Sequence, residues 1–296
     1  MSGDPFDLLV VGTPFLDLTF VGLQRLPRAG EEVLAHDLET TPGGPVMTAV
    51  AAARLGLSVA LAAPIGQDLA GRELLGHVER AGVRWVGPEA DRTPTTVVMP
   101  VQRGVAMATH LPPADVPSSV LADLPARAVV LSLGRLSLRP PGRRCYAVTG
   151  GLEIEHLGRG VPPALDGVDA VIMTLAEASA LTGDADAERA AAALGTRARA
   201  AIVTLGEEGA VAVSGGQSVR APGIEAEVVN ATGAGDLFVA AYAWADLMDL
   251  PIADRVCWAT LYAGLSVRTT TPLNGAAFAA ELLEEGARRG LTLPAS

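Results

Sequence analysis

Short apolar runs alternate along the chain with longer segments in which apolar residues recur at helical spacing. The runs DLLVV (7–11), VALAAPI (59–65), AVVLSL (128–133), DAVIM (169–173), AAIVTL (200–205), GAVAV (209–213) and EVV (227–229) read as strands. Several of them are apolar throughout, the pattern of strands buried on both faces. Between them TAVAAARLG, AGRELLGHVERAG and DAERAAAALG read as helices, and beyond residue 234 the chain reads as mostly helical. This alternation predicts an α/β fold, a mostly parallel central sheet flanked by helices on both faces. Two segments depart from it. Residues 17–41 and 93–110 combine β-rich alternation with Pro and Gly turns and show no helical period, so they are expected to pair as a small β lid inserted in a single domain spanning 1–296. No internal repeat or low-complexity linker divides the chain.

Composition narrows the chemistry. An apolar fraction of 49% and a mean hydropathy of +0.34 describe a globular protein. The N-terminal MSGDPFDLLVVG lacks the basic region and cleavage site of a secretory signal. Every apolar run is interrupted before the roughly 18 residues that a spanning helix needs. A cytoplasmic protein without a membrane partner is expected. Net charge is −11 with no basic cluster, which argues against a nucleic-acid surface. Cys145 and Cys257 lie far apart and the four histidines are scattered, so neither a disulfide framework nor a zinc site is indicated. All 22 basic residues are arginine. The absence of lysine excludes Schiff-base chemistry and P-loop NTPases of the GxxxxGK[ST] type.

One motif remains, NATGAGD at 230–236, between an apolar run and the helical segment LFVAAYAWADLM. A Gly-rich turn that opens a helix presents unpaired N–H groups at the positive end of the helix dipole, where an anion can approach the backbone. Asp236, in the first helical turn, is then placed to accept a proton beside the bound anion. A simple turn with Asp236 as helix cap fits the motif equally well when it is read alone.

Together with other blocks the motif resembles the ribokinase or PfkB-type sugar kinase family, whose signature reads roughly DTTGAGD. VVGTPFLD (10–17), PGGPVMTAVAAARLG (42–56), IGQDLAG (65–71), TLAEASALTG (174–183) and VTLGEEGAVAV (203–213) follow in the family's order. The resemblance implies a ribokinase-like fold and ATP-dependent phosphorylation of a hydroxymethyl group on a sugar, sugar acid or nucleoside. It makes Asp236 the general base, and Gly233, Ala234 and Gly235 part of an anion hole. Asp17, Gly43, Gly44 and the position of Met47 become the acceptor site. Thr204, Gly206, Thr232 and Thr260 become the nucleotide site, and Glu177 the organiser of Mg²⁺. A monovalent cation is an optional third cofactor, and the lid implies a homodimer.

Departures from the pattern bear on specificity. Met47 stands where many members carry a sugar-binding Asn, so ribose is expected to be disfavoured against an acceptor with an apolar edge. Thr174 replaces the Asn of NxxE, and Asn230 replaces the signature's first Asp, which alters the expected metal and monovalent-cation arrangements. The other function class is a ligand-binding relative that keeps the fold and turns over poorly.

Overall fold

The computed structural model describes residues 5–101, 104–122 and 124–292. Residues 102 and 103 of the second β-rich segment, and both ends of the expected 1–296 domain, lie outside the described residues. The strands are β1 (Phe6–Val11), β2 (Phe15–Val21), β3 (Asp37–Gly43), β4 (Val59–Ala62), β5 (Ile65–Gly66), β6 (Arg84–Trp85), β7 (Glu89–Ala90) and β8 (Thr95–Val101). They continue with β9 (Gly104–His110), β10 (Ala126–Ser132), β11 (Arg144–Val148), β12 (Ala170–Thr174), β13 (Ala200–Thr204), β14 (Gly209–Ser214) and β15 (Gln217–Pro222). The helices that matter below are α1 (Pro45–Arg54), α2 (Leu69–Arg80), α3 (Ser118–Ala122), α4 (Gly151–Leu157), α5 (Leu175–Thr182), α6 (Ala187–Leu194), α7 (Ala234–Leu247), α8 (Ile252–Ser266), α9 (Pro272–Gly275) and α10 (Ala279–Arg288).

The main sheet has the order β15-β14-β13-β12-β11-β10-β1-β4-β6 and is parallel except for β14 and β15. Inside it, between β10 and β4, lies β1, whose Leu8, Leu9, Val10 and Val11 are all buried. Leu8 and Val10 join the core with α1, α7 and α8, while Leu9 and Val11 join the core with α5 and α6. Alternate side chains of one strand thus feed two cores, which explains its unbroken apolar run. From β1 the chain builds outward through β4 and β6, and later through β10 to β13 on the other side. The order therefore reverses between β1 and β10, and a crevice opens beyond the carboxyl ends of those strands, the usual ligand position in an open α/β sheet.

The β-rich segments pair as a separate sheet, order β3-β2-β8-β9. Register puts Asp17, Thr19, Glu39, Thr41, Thr96, Val98, Met107 and Thr109 on one face. The opposite face carries Leu18, Phe20, Leu38, Val97 and Met99. The apolar side of the lid is thus the one turned away from Asp17. One expectation needs correction. EVV (227–229) is not a strand: Val228 and Val229 are 55% and 54% exposed, because the sheet edge is already taken by β15. The polar composition of that edge strand, QSVRAP, hid it from the apolar pattern. Among the described residues no helix is long and apolar enough to cross a membrane.

Helix α7 is buried from Leu237 to Leu247 and packs between α1 and α8. Its far end is tied to the sheet through Asp246, which is 5% exposed. The Tyr146 hydroxyl donates to Asp246 Oδ2 at 2.5 Å, Arg144 Nη1 donates to the same oxygen at 3.2 Å, and Arg255 pairs with Oδ1. Removing one partner of a buried charged network strands the others. Asp246→Ala is expected to cost about 3–5 kcal/mol in urea unfolding, whereas Asp249→Asn, at an exposed partner of Arg144 whose φ of 56° asparagine tolerates, should be close to neutral. Equal losses would place the stabilisation in surface charge.

Candidate active site

The turn before α7 is built by glycine. Gly233 is the N-cap at φ 86° and ψ −3°, a left-handed conformation that a Cβ disfavours. Within this turn the Ala234 N–H donates to Ala231 O at 3.2 Å and the Asp236 N–H to Gly233 O at 3.0 Å. Among the described residues the Gly233 and Gly235 N–H groups meet no protein acceptor, so these two are the donors open to an anion.

Asp236 lies in the first turn of α7, and its Oδ1 accepts a 3.0 Å hydrogen bond from Thr48 Oγ1 on α1. Burial pushes its carboxyl up to about 7, assisted by the like charge of Asp17 and opposed by the Thr48 bond. Asp17, on β2, is likewise pushed up to about 6 by burial, against a hydrogen bond from Thr96. A methyl carbon added to Gly43 would lie 2.7 Å from Asp17 Oδ2. Gly43 therefore makes room for the Asp17 carboxylate.

Two cavities meet at this turn. One, of about 420 Å³, fills the crevice beyond β1 and β10 and is lined by Gly12, Thr13, Phe15, Gly44, Thr48, Ser132, Arg135, Glu153, His156 and Asp236, among others. The second, of about 310 Å³, is lined by Thr174, Thr204, Gly206, Glu207, Ile224, Val228, Ala234, Gly235, Phe238, Thr260, Ala263 and Gly264, among others. Consecutive residues of one helical turn thus face different cavities: Ala234 and Gly235 the second, Asp236 the first. The second cavity is largely apolar, and Thr260 Oγ1 in its wall is buried without a hydrogen-bond partner among the described residues.

Of the expected site residues, Asp17, Gly43 and Gly233 border the site without lining either cavity, and Met47, Glu177 and Thr232 lie elsewhere. Met47 is 2% exposed and packed in the core behind α1, so it lines neither cavity; the helix turns Thr48 to the site instead. The expectation that an apolar acceptor edge meets Met47 is thereby lost. Glu177 Oε2 is held by Thr174 N and Thr174 Oγ1, each at 2.8 Å, in a capping box that starts α5. Its role is first of all to cap that helix. Thr232 lines a third cavity under the lid with Thr19, Val21 and Thr270, and its N–H donates to Asn230 Oδ1 at 2.9 Å. It is apart from Thr204 and Thr260.

Residues that sequence reasoning missed are Thr48, Arg135, Ser132, Glu153 and His156. Arg135 and Ser132 had a signal, since polar residues that follow an apolar strand of a parallel sheet fall at its carboxyl end. Arg135 Nη2 donates to Thr13 Oγ1 at 3.0 Å and its Nε to Asp115 at 3.2 Å. Among the described residues no group of three or more His, Cys, Asp or Glu could cage a metal. Glu207 in the lining could serve a Mg²⁺ ion that keeps water and phosphate as its other ligands.

The pfkB family carbohydrate kinase profile matches residues 7–117 and 159–276. The chain is 28% identical to the ribokinase of Lactococcus lactis, over 88% of this chain and 90% of that protein. Its fold is similar to that of Arabidopsis thaliana ribokinase complexed with ribose and ATP, at TM-score 0.78 and 22% identity over 95% and 98% of the two chains. It is also similar to Burkholderia thailandensis nucleoside kinase in complex with inosine, at TM-score 0.75 and 17% identity over 96% and 97%. With a ribokinase-like fold and a profile match over most of its length, the chain belongs to the pfkB family of carbohydrate kinases.

Proposed function

We propose that this kinase transfers the γ-phosphoryl group of ATP to a hydroxymethyl group of a sugar-like acceptor, with Asp236 as the general base. The observation that carries this reading is that Asp236 faces one cavity while the adjoining Ala234 and Gly235 face the other. Phosphoryl transfer needs donor and acceptor in line across a short gap, and this turn is where the two cavities meet.

In this reading the apolar lining around Ile224, Phe238, Ala263 and Gly264 takes the adenine ring, with Thr260 in the same wall. Thr204 and Gly206 border the triphosphate. Mg²⁺ bound to the phosphates would neutralise part of their charge, with Glu207 in the cavity lining and Glu177, as the family resemblance implies, as acidic partners. The acceptor lies over Gly44, and Thr13, Ser132, Arg135, Glu153 and His156 supply partners for its hydroxyls. Asp236 accepts the hydroxymethyl proton as the oxygen attacks phosphorus. The Gly233 and Gly235 N–H groups, at the positive end of α7, stabilise charge on the transferring group. Closure of the lid excludes water that would compete as acceptor. Phe15, Leu111 and Val148 in the same lining also suit the base of a nucleoside acceptor, and ADP release across sugars, sugar acids and nucleosides separates the two classes. The apolar outer face of the lid, with Leu38 53% exposed, is covered by a second copy of the chain.

Asp236→Asn should lower turnover by about 10²–10⁴ while nucleotide binding persists. An active Asn variant would assign the base elsewhere. Because the carboxyl is pushed up to about 7, the basic form exists above that value and is lost below it. The pH profile of kcat/KM should therefore rise through an acidic limb centred near 7. The same upward displacement means that the charged carboxylate weakens the fold, by an amount absent below its ordinary value of 3.8 and complete above about 7. Asp236→Asn should thus gain stability over wild type as pH rises across that window, read by thermal unfolding; a gain independent of pH would contradict the assignment. For assembly, light scattering should give a homodimer that Leu38→Glu converts to monomer, and a monomeric wild type would remove the lid interface.

A further inference from the structure

The turn that carries the open amides is held from below by one side chain, Asn230. Its Oδ1 accepts the Thr232 N–H at 2.9 Å, and its Nδ2 donates to Thr270 O at 2.8 Å. Only this orientation of the amide serves both contacts, since the Thr232 N–H must meet an oxygen and the Thr270 carbonyl must meet a donor. The main chain adds to the same seam: the N–H groups of Val229 and Asn230 both donate to Val267 O, at 2.8 and 3.1 Å. Residues 229–232 are thereby stitched to the segment that follows α8.

An ion of the size of K⁺ is held by converging oxygens that replace its water shell. Three carbonyls on this segment already accept from protein donors. Val267 O accepts two N–H groups, Thr270 O accepts the Asn230 amide, and Thr271 O accepts the Thr269 hydroxyl and the Asn274 N–H. Asn230 is neutral, and its positive amide edge, not a carboxylate, faces Thr270 O. The residues present do not fit a monovalent cation at this seam. With aspartate at 230, a carboxylate oxygen would face the Thr270 carbonyl, acceptor against acceptor, and a bridging cation would be needed to hold the turn.

Resting on the kinase reading, we propose that the Asn230 amide takes the place of a monovalent cation in fixing the anion-binding turn, so that this enzyme works without K⁺ or Na⁺. The seam needs no charge from solution to keep Gly233 and Gly235 aimed at the phosphoryl group.

The test compares wild type, Asn230→Asp and Asn230→Ala in KCl and in tetramethylammonium chloride at equal ionic strength, by ADP release and by thermal unfolding. Wild type should change by less than about twofold in kcat/KM between the salts, with one melting temperature in both. Asn230→Asp should lose about tenfold in tetramethylammonium, the effect of one lost hydrogen bond, and recover in KCl with a higher melting temperature there. Asn230→Ala should melt lower than wild type in both salts with no response to K⁺. Activation of wild type by K⁺ with a matching rise in melting temperature overturns the proposal, as does an Asn230→Asp variant that is fully active without K⁺. If Asn230→Asp does not fold, a K⁺-dependent rise in the melting temperature of wild type or Asn230→Ala overturns it instead. Failure of every acceptor to release ADP would defeat the kinase reading alone, because the melting temperatures need no acceptor.

Discussion

The hydrogen bond between Thr48 on α1 and Asp236 on α7 is the contact on which the site depends. It joins the starts of two helices that belong to distant parts of the chain, and it does so around a carboxylate that burial pushes toward its neutral form. A second carboxylate, Asp17, lies close enough to raise the first one further. Such an arrangement is costly to the fold, and the molecule offsets the cost in several places. The α7 dipole and the open turn amides favour negative charge there, and Thr96 supports Asp17. The opposite end of α7 is fixed by the Arg144, Arg255 and Tyr146 network on Asp246. A helix held at both ends keeps Asp236 in a defined position between two cavities.

The sequence pattern and the structure agree most closely where backbone physics dominates. Fully apolar runs such as DLLVV mark strands buried on both faces, and NATGAGD marks a glycine turn opening a helix, because few other arrangements suit those residues. The pattern misled at the sheet edge. Val228 and Val229 look like strand residues and are exposed, while QSVRAP looks like loop and pairs along its whole length with β14. The strand RCYAV also escaped notice, since its arginine and tyrosine serve the Asp246 network.

Site residues show the same division. Asp236, Gly235 and Thr204 follow from motif position. Whether Met47 or Thr48 faces the crevice depends on helix phase, a rotation of about 100° per residue that no count along the chain fixes when both neighbours are small or apolar. Glu177 was legible as significant but not as a cap, because a capping box and a metal ligand place the same acidic residue after the same strand. Arg135, Glu153 and His156 come from separate segments, and only the crevice between β1 and β10 brings them together.

The central claim is that the Asp236 carboxyl is held near neutrality where the acceptor and nucleotide cavities meet. Carbon-13 NMR titration of the aspartate carboxyls, with Asp236→Asn to assign the signal, measures this directly. The account predicts a midpoint near 7 for Asp236, falling when Asp17→Asn removes the neighbouring charge. A midpoint near the ordinary 3.8, unmoved by that substitution, would contradict it.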